Sequence, residues 1–388
     1  MEARDSQPKA PGHTRRTFIG RSAGMALAVG GSSAFLAACG GSSGDSKDEV
    51  VVLTFVSYAD ADIKRLWAEA NPDITMRAVP AADDSELLIK LKAGGAADYD
   101  VVWCDFGYAP AFNATGLIEL MDLNEIKAAE DLYPEFREDV EAFPYLVEPN
   151  KAIGFPGQWA ATSMTYNTKV DFQPAAPYSW NQLWDPAVPE NATGFQGTAP
   201  DGIIATAGLA KGYTPREVYN LAGTDLQGVA DYLKELKPFR LVESDPGMRN
   251  AIRKEEVWLG LTATTGFADK INQEAGEDIA ASVVPEEGSL GFIDGPMLVK
   301  DAKNRDNALT YVNWFMSDQK LRDYLLDAYR AAPCSKTTVE RFVAAGGEQA
   351  HLVEILKGAE PDIAAKITQV QAPKDPKAYA AAWDEINA

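Results

Sequence analysis

Apolar residues run almost without interruption from Val50 to Val56, and most of them are β-branched. A strand that is apolar at consecutive positions is buried on both faces, as in the interior of a parallel sheet. Ile63, Leu66, Trp67 and Ala70 follow at helical spacing, and Asn71-Pro72 closes that helix because a residue before proline avoids the αR region. Residues 74–79 return as a second strand, Leu87, Leu88 and Leu91 mark a second helix ended by Gly94-Gly95, and residues 100–104 form a third strand. Strand, helix, strand, helix, strand predicts right-handed crossovers and a doubly wound α/β lobe. Ligands meet such a sheet beyond the C-terminal ends of its strands. Ser57, Tyr58 and Asp60 follow the first strand and Asp105, Phe106 and Tyr108 follow the third, so these are candidate ligand positions.

Residues 153–166 carry two short extended pieces interrupted by Pro156-Gly157, which predicts the passage into a second lobe. Ser179-Trp180-Asn181-Gln182 and Thr214-Pro215-Arg216-Glu217 both fit the capping box of a helix start, and Asp245-Pro246 predicts a third start. Residues 257–261 and 279–284 read as strands of the second lobe with a helix over 266–275 between them. Met297-Leu298-Val299 leads back toward the first lobe, Ala308, Leu309, Val312 and Phe315 form the core face of a helix, and the alanine-rich tail from Thr337 is helical.

The N-terminus adds an address. Arg15-Arg16-Thr17-Phe18-Ile19 precedes a modestly apolar stretch rich in Gly, Ala and Ser, which is the twin-arginine export pattern. At about 16 residues that stretch is short of the ~20 that a membrane span needs. It ends in Leu36-Ala37-Ala38-Cys39, similar to the lipobox of bacterial lipoproteins, so Cys39 is the expected lipidation site and residues 1–38 the signal peptide. Residues 39–49, mostly Gly, Ser and charged, then form a flexible tether. The 388-residue chain has a net charge of −21, and removing residues 1–38, which hold five basic and two acidic side chains, brings it to −24. Nucleic acid is therefore an unsuitable partner. Besides Cys39 there are only Cys104 and Cys334, which suit either a disulfide or two small buried apolar side chains. His351 is the single histidine after the signal peptide, and no nucleophile elbow or zinc motif is present, so neither catalytic residues nor a metal or cofactor is expected.

The order of several loose motifs carries a resemblance. Tyr99-Asp100-Val101-Val102, Gly116-Leu117-Ile118, Trp159-Ala160-Ala161-Thr162 with Tyr166-Asn167, Ser179-Trp180-Asn181-Gln182-Leu183-Trp184 and Gly291-Phe292-Ile293-Asp294 are similar to landmarks of the spermidine/putrescine-type binding proteins of ABC importers. The resemblance implies a two-lobed periplasmic-binding-protein-like fold of type II, α/β in both lobes. It implies an ammonium partner at Asp294, with Phe292 packing on the ligand's alkyl chain. An ionised carboxylate suits a desolvated ammonium, and aromatic faces add about 0.5–2 kcal/mol each. Asp105 and Tyr108 match the family's positions after the third strand, Asp201 matches an acidic position of the second lobe, and Trp159 falls at the hinge. The aromatic box is thinned, with Ser57 and Tyr58 after the first strand and Ala263 amid Thr262, Thr264 and Thr265 in the second lobe. Hydroxyls at Thr262, Thr264 and Thr265 suit a ligand richer in hydrogen-bonding groups than spermidine. Arg330 suits either a ligand carboxylate or the C-terminal dipole of its own helix.

The expected organisation is lobe 1 over 50–157 and 293–342, lobe 2 over 158–292 and C-terminal helices over 343–388. The expected function is a lipid-anchored, monomeric receptor outside the cell membrane that closes on a small organic amine and delivers it to an ABC permease. A sugar, amino-acid or phosphonate receptor of the same fold, or an exported carboxylate-dependent hydrolase, are the alternatives.

Overall fold

The computed structural model describes residues 48–81, 83–196, 200–236, 238–242, 244–365 and 367–387. The expected signal peptide, Cys39 and most of the tether lie outside the described residues. The apolar run becomes the strand Glu49–Phe55, whose five central residues are buried. Thr75–Ala81 and Val101–Asp105 flank it in parallel. Asp60 caps the intervening helix Ala61–Ala70, accepting the Ile63 N–H at 2.7 Å, and Asp83 caps the next, Asp84–Gly94. Beyond Val101–Asp105 the sheet continues through the long strand Ser289–Val299, then Gln158–Ala161, then Ala332–Pro333, each antiparallel to the strand before it. Trp67, Trp103, Phe315 and Tyr311 fill the core against one face, with ring centroids 4.4 to 6.1 Å apart where they touch.

The second sheet has five strands in the order Arg240–Val242, Thr193–Gln196, Leu259–Thr262, Ser163–Asn167 and Ala280–Val283. The first three are parallel and the last two pairings antiparallel, so both lobes are mixed sheets covered by helices. Trp180, Phe195, Ile204 and Val229 belong to its core.

Sequence boundaries shift in two places. Gln158–Ala161 and Ser289–Val299 belong to the first sheet, so the chain changes sheets at Thr162 and again between Val283 and Ser289. The extended pattern marks a strand but not which sheet accepts it, and the hinge strands continue the first. A third crossing comes from the tail. Lys336–Ala345 and Gly347–Ile355 pack on the first core, Ile367–Gln369 runs parallel to Ser289–Val299, and Pro376–Asn387 buries Tyr379, Ala382 and Ile386 in the second core.

One expected helix start is not realised. Glu217 does accept both the Thr214 N–H and its hydroxyl at 2.8 Å, but the segment stays a turn. Val218, Tyr219 and Leu221 are drawn into the second core, and Gly223 at φ +53° starts a separate helix, Gly223–Leu236. Ser179 keeps its complete capping box over a single 3-10 segment, Trp180–Trp184. Cys104 and Cys334 are both free and buried, the second of the two readings.

Candidate functional site

The first sheet brings three polar side chains into one row. In the antiparallel ladder Asp294 stands opposite Asp105 on one neighbour and Gln158 on the other, so the three share a face. The Tyr58 hydroxyl donates to Asp294 Oδ2 at 2.7 Å, and the Gln158 amide nitrogen donates to the Tyr58 oxygen. Asp294 Oδ1 and Gln158 Oε1 are buried without a hydrogen-bond partner. Asp84, at the start of the second helix, accepts the Asp105 N–H at 3.0 Å, and Asp105 accepts the Gly107 N–H at 3.1 Å. Among the described residues none of the three carboxyls forms an ion pair.

Their protonation reflects that isolation. Burial first, with the negative charge of Asp84 adding and the Tyr58 hydrogen bond and Arg322 opposing, pushes the Asp294 carboxyl up to about 7. Burial and then the Asp83 charge lift Asp84 to about 7 against the Asp105 N–H bond, and burial and then Asp84 hold Asp105 well above the usual carboxylate range. An unpaired acceptor cluster of this kind is costly when ionised, and a cation supplies what it lacks.

One further candidate comes from the second lobe. Asp201 lies in the first turn of Pro200–Ala210, and burial lifts its carboxyl. Tyr108 is half-buried, and burial followed by the charges of Asp84, Asp201 and Asp105 raises its hydroxyl to about 12. Asp201 and Asp105, from different lobes, thus act on one phenol. Phe292, half-buried, lies opposite Ala160 on the face that carries Asp294.

Several sequence candidates have structural work instead. Asp60 caps its helix and accepts Tyr324 at 2.7 Å and Tyr329 at 2.8 Å; although burial opposes, the Ile63, Tyr324 and Tyr329 hydrogen bonds keep its carboxyl below the usual range. Ser57 is exposed and offers its carbonyl to Tyr329. Phe106 is fully buried against Tyr145, at 4.5 Å between centroids. Trp159 is fully buried with its Nε1 unpartnered. Thr264 is half-buried, its carbonyl accepting the Ser163 hydroxyl. Thr262 joins a buried hydroxyl chain with Ser163 and Thr165, and Thr265 is buried with its hydroxyl unpartnered. Arg330 takes up a left-handed conformation at the helix end, but its guanidinium reaches the second lobe, 3.5 Å from Asp269 and 3.4 Å from Gln273.

Reading the chain missed Gln158, Asp84, Tyr219 and Gln369. Asp84 follows the second strand, where the strand-end rule would have found it. Tyr219 has a buried hydroxyl and Gln369 a buried amide, each without a partner, and no local pattern signals either. A cavity of about 790 Å³ lined in part by Thr214, Arg216, Thr368 and Gln369 opens between the lobes there.

Two α/β lobes joined by three crossings, with unsatisfied polar groups gathered at their seam, define a two-lobed solute-binding protein. A family model for bacterial extracellular solute-binding proteins matches residues 66–348, and the chain belongs to that family of binding proteins rather than enzymes. The spermidine/putrescine-binding periplasmic protein of Salmonella typhimurium is 25% identical over 232 residues, 58% of this chain and 61% of the relative's length. Among solved structures, the spermidine/putrescine ABC transporter substrate-binding protein PotD of Streptococcus pneumoniae has a TM-score of 0.69 at 18% identity, covering 88% of this chain and 98% of that one. A GABA receptor has a TM-score of 0.61 at 20% identity, covering 87% and 95%.

Proposed function

We propose that this chain is the substrate-binding lipoprotein of an ABC importer and captures a small organic amine between its lobes. The observation that carries the reading is the acceptor cluster at the hinge: among the described residues Asp294 Oδ1 and Gln158 Oε1 lack donors, and Asp105 and Asp84 lack counter-ions. An ammonium supplies both donors and charge. Asp294, Asp105 and Tyr58 are its proposed first contacts, with Asp201 and Tyr108 closing from the lobe seam and Phe292 against the alkyl chain. Asp60, Phe106 and Trp159 support the site from behind. A ligand that bridges both lobes favours the closed state by its preference for it, and the closed receptor then engages the permease. Cys39, diacylated, holds the receptor at the outer face of the membrane after twin-arginine export.

The relative named for spermidine and putrescine supports an amine, while the thin aromatic box favours one other than spermidine. A zwitterion is the second reading, favoured by the buried Arg330 Nε, which has no hydrogen-bond partner although Asp269, Asp327 and Glu348 lie within 4.0 Å of the other guanidinium nitrogens.

A thermal-shift screen of the mature protein over polyamines, amino acids, betaines and sugars tests both readings, since any ligand specific to the folded state raises Tm. Stabilisation by diamines supports the first, and by amino acids alone the second. A response to sugars with silence for every amine refutes both. Cys39→Ser releases the receptor from the membrane fraction if the anchor is as proposed.

A further inference from the structure

Arg322 is a buried charge that the fold does not pair. It lies on the helix Gln319–Tyr329, is only 2% exposed, and forms no ion pair among the described residues. Its guanidinium donates to the Gly157 carbonyl at 3.1 Å and to the Phe315 carbonyl at 3.5 Å, lies 5.8 Å from the Phe315 ring centroid, and leaves Nε unpartnered. A guanidinium removed from water without a carboxylate is costly, and the fold could have spared itself the charge with a methionine. Gly157 also donates its N–H to the Asp294 carbonyl at 2.9 Å. Gly157 at the hinge is thus bonded to both residues, through its carbonyl to the buried guanidinium and through its N–H to the main chain of Asp294.

We infer that Arg322, anchored on the Gly157 carbonyl beside the Asp294 strand and outside ion-pair distance, is the fixed counter-charge of Asp294 and leaves the carboxylate available to a ligand cation. Direct contact would neutralise Asp294 and occupy the oxygen that the ligand needs. No charge at all would let the carboxyl hold its proton to higher pH. The other groups facing Asp294 bring no positive charge, although the Tyr58 hydrogen bond opposes the burial more strongly than Arg322 does. Tyr58 donates a neutral hydrogen bond, Asp105 on the neighbouring strand and Asp84 on the second helix repel, and Tyr329 beside Tyr58 is uncharged. Around Arg322 the remaining groups are the Cys334 thiol, which burial keeps protonated, and Arg341, which adds like charge. Arg322 is therefore a positioning residue for charge, with no contact to the ligand. The role rests on the amine reading, but its electrostatic half does not.

The test separates the two. In ligand-free protein, the difference in Tm between wild type and Asp294→Asn as a function of pH reports the ionisation of Asp294. Introducing Arg322→Met into both backgrounds should move that midpoint upward by about one pH unit. Putrescine titrations should show the same displacement: in Arg322→Met, affinity about fivefold weaker near pH 7 and close to wild type by pH 9. Arg322→Lys should keep the wild-type midpoint, and Arg322→Gln, which removes the charge but stays polar, should move it upward and carries the test if the methionine variant does not fold. A midpoint unmoved in Arg322→Met, an affinity loss uniform with pH, or a lysine variant displaced like the methionine one overturns the inference. Absence of putrescine binding in wild type counts against the amine reading alone, because the ligand-free comparison still decides the role of Arg322.

Discussion

Replacing Asp294 by asparagine should stabilise the ligand-free protein at neutral and alkaline pH while it abolishes most of the affinity for an amine. The carboxyl is 5% exposed, and its pKa rises from 3.8 to about 7 on folding, mainly through burial. A folded-state pKa above the unfolded one means that between these values the folded protein retains a proton that the unfolded chain has released. Stability therefore falls as pH rises from about 4 to about 7 and levels off above. At ~1.4 kcal/mol per unit the full loss is roughly 4 kcal/mol as an upper bound. Asparagine stays neutral, keeps an oxygen for the Tyr58 hydroxyl, and removes this loss. For a unit of this size that is on the order of 5 °C in Tm at pH 8, with little difference at pH 4. The same change takes a buried charge from the ligand's partner, which costs about 2–5 kcal/mol of binding. Differential scanning calorimetry from pH 4 to 8, with calorimetric titration of the best amine, measures both effects. Parallel wild-type and variant Tm profiles would refute the claim that Asp294 is a destabilised carboxyl, and unchanged affinity would refute its contact with the ligand.

Tyr58→Phe should leave Asp294 with no direct donor, shifting its ionisation to higher pH and weakening an amine by about 1–3 kcal/mol, as read from titrations at pH 7 and 9. Gly295→Ala should destabilise the hinge strongly, since a Cβ there would lie 1.9 Å from the Phe155 carbonyl oxygen; chemical unfolding measures the loss. Arg330→Met should loosen the lobes by removing the 3.5 Å contact with Asp269, giving a larger radius of gyration by small-angle scattering and a weaker ligand affinity, with unfolding little changed. Cys104 and Cys334, buried and free, should react with a thiol reagent only on unfolding, and the mass of the native protein should stay unmodified.

The sequence alone determined the elements and their chemistry. Consecutive apolar residues at 50–53 can only be satisfied between two covered faces, and the capping box that begins at Ser179 closes for local hydrogen-bonding reasons. Strand-end positions likewise drew notice to Tyr58 and Asp105, and the family resemblance to Asp294, before any contact was known. The tertiary structure decided which of the acidic and aromatic residues meet. Asp60 looked as free as Asp105 until Tyr324 and Tyr329, more than 260 positions away, arrived to occupy it. Asp294 became opposite Asp105 only through a register between strands almost 190 residues apart, and Gln158 joined them from a third. Local pattern records what a residue prefers within a few neighbours. Burial without a partner, which makes Asp294, Gln158 and Arg322 informative, is a property of the closed three-dimensional neighbourhood, because it depends on which distant groups fail to reach them.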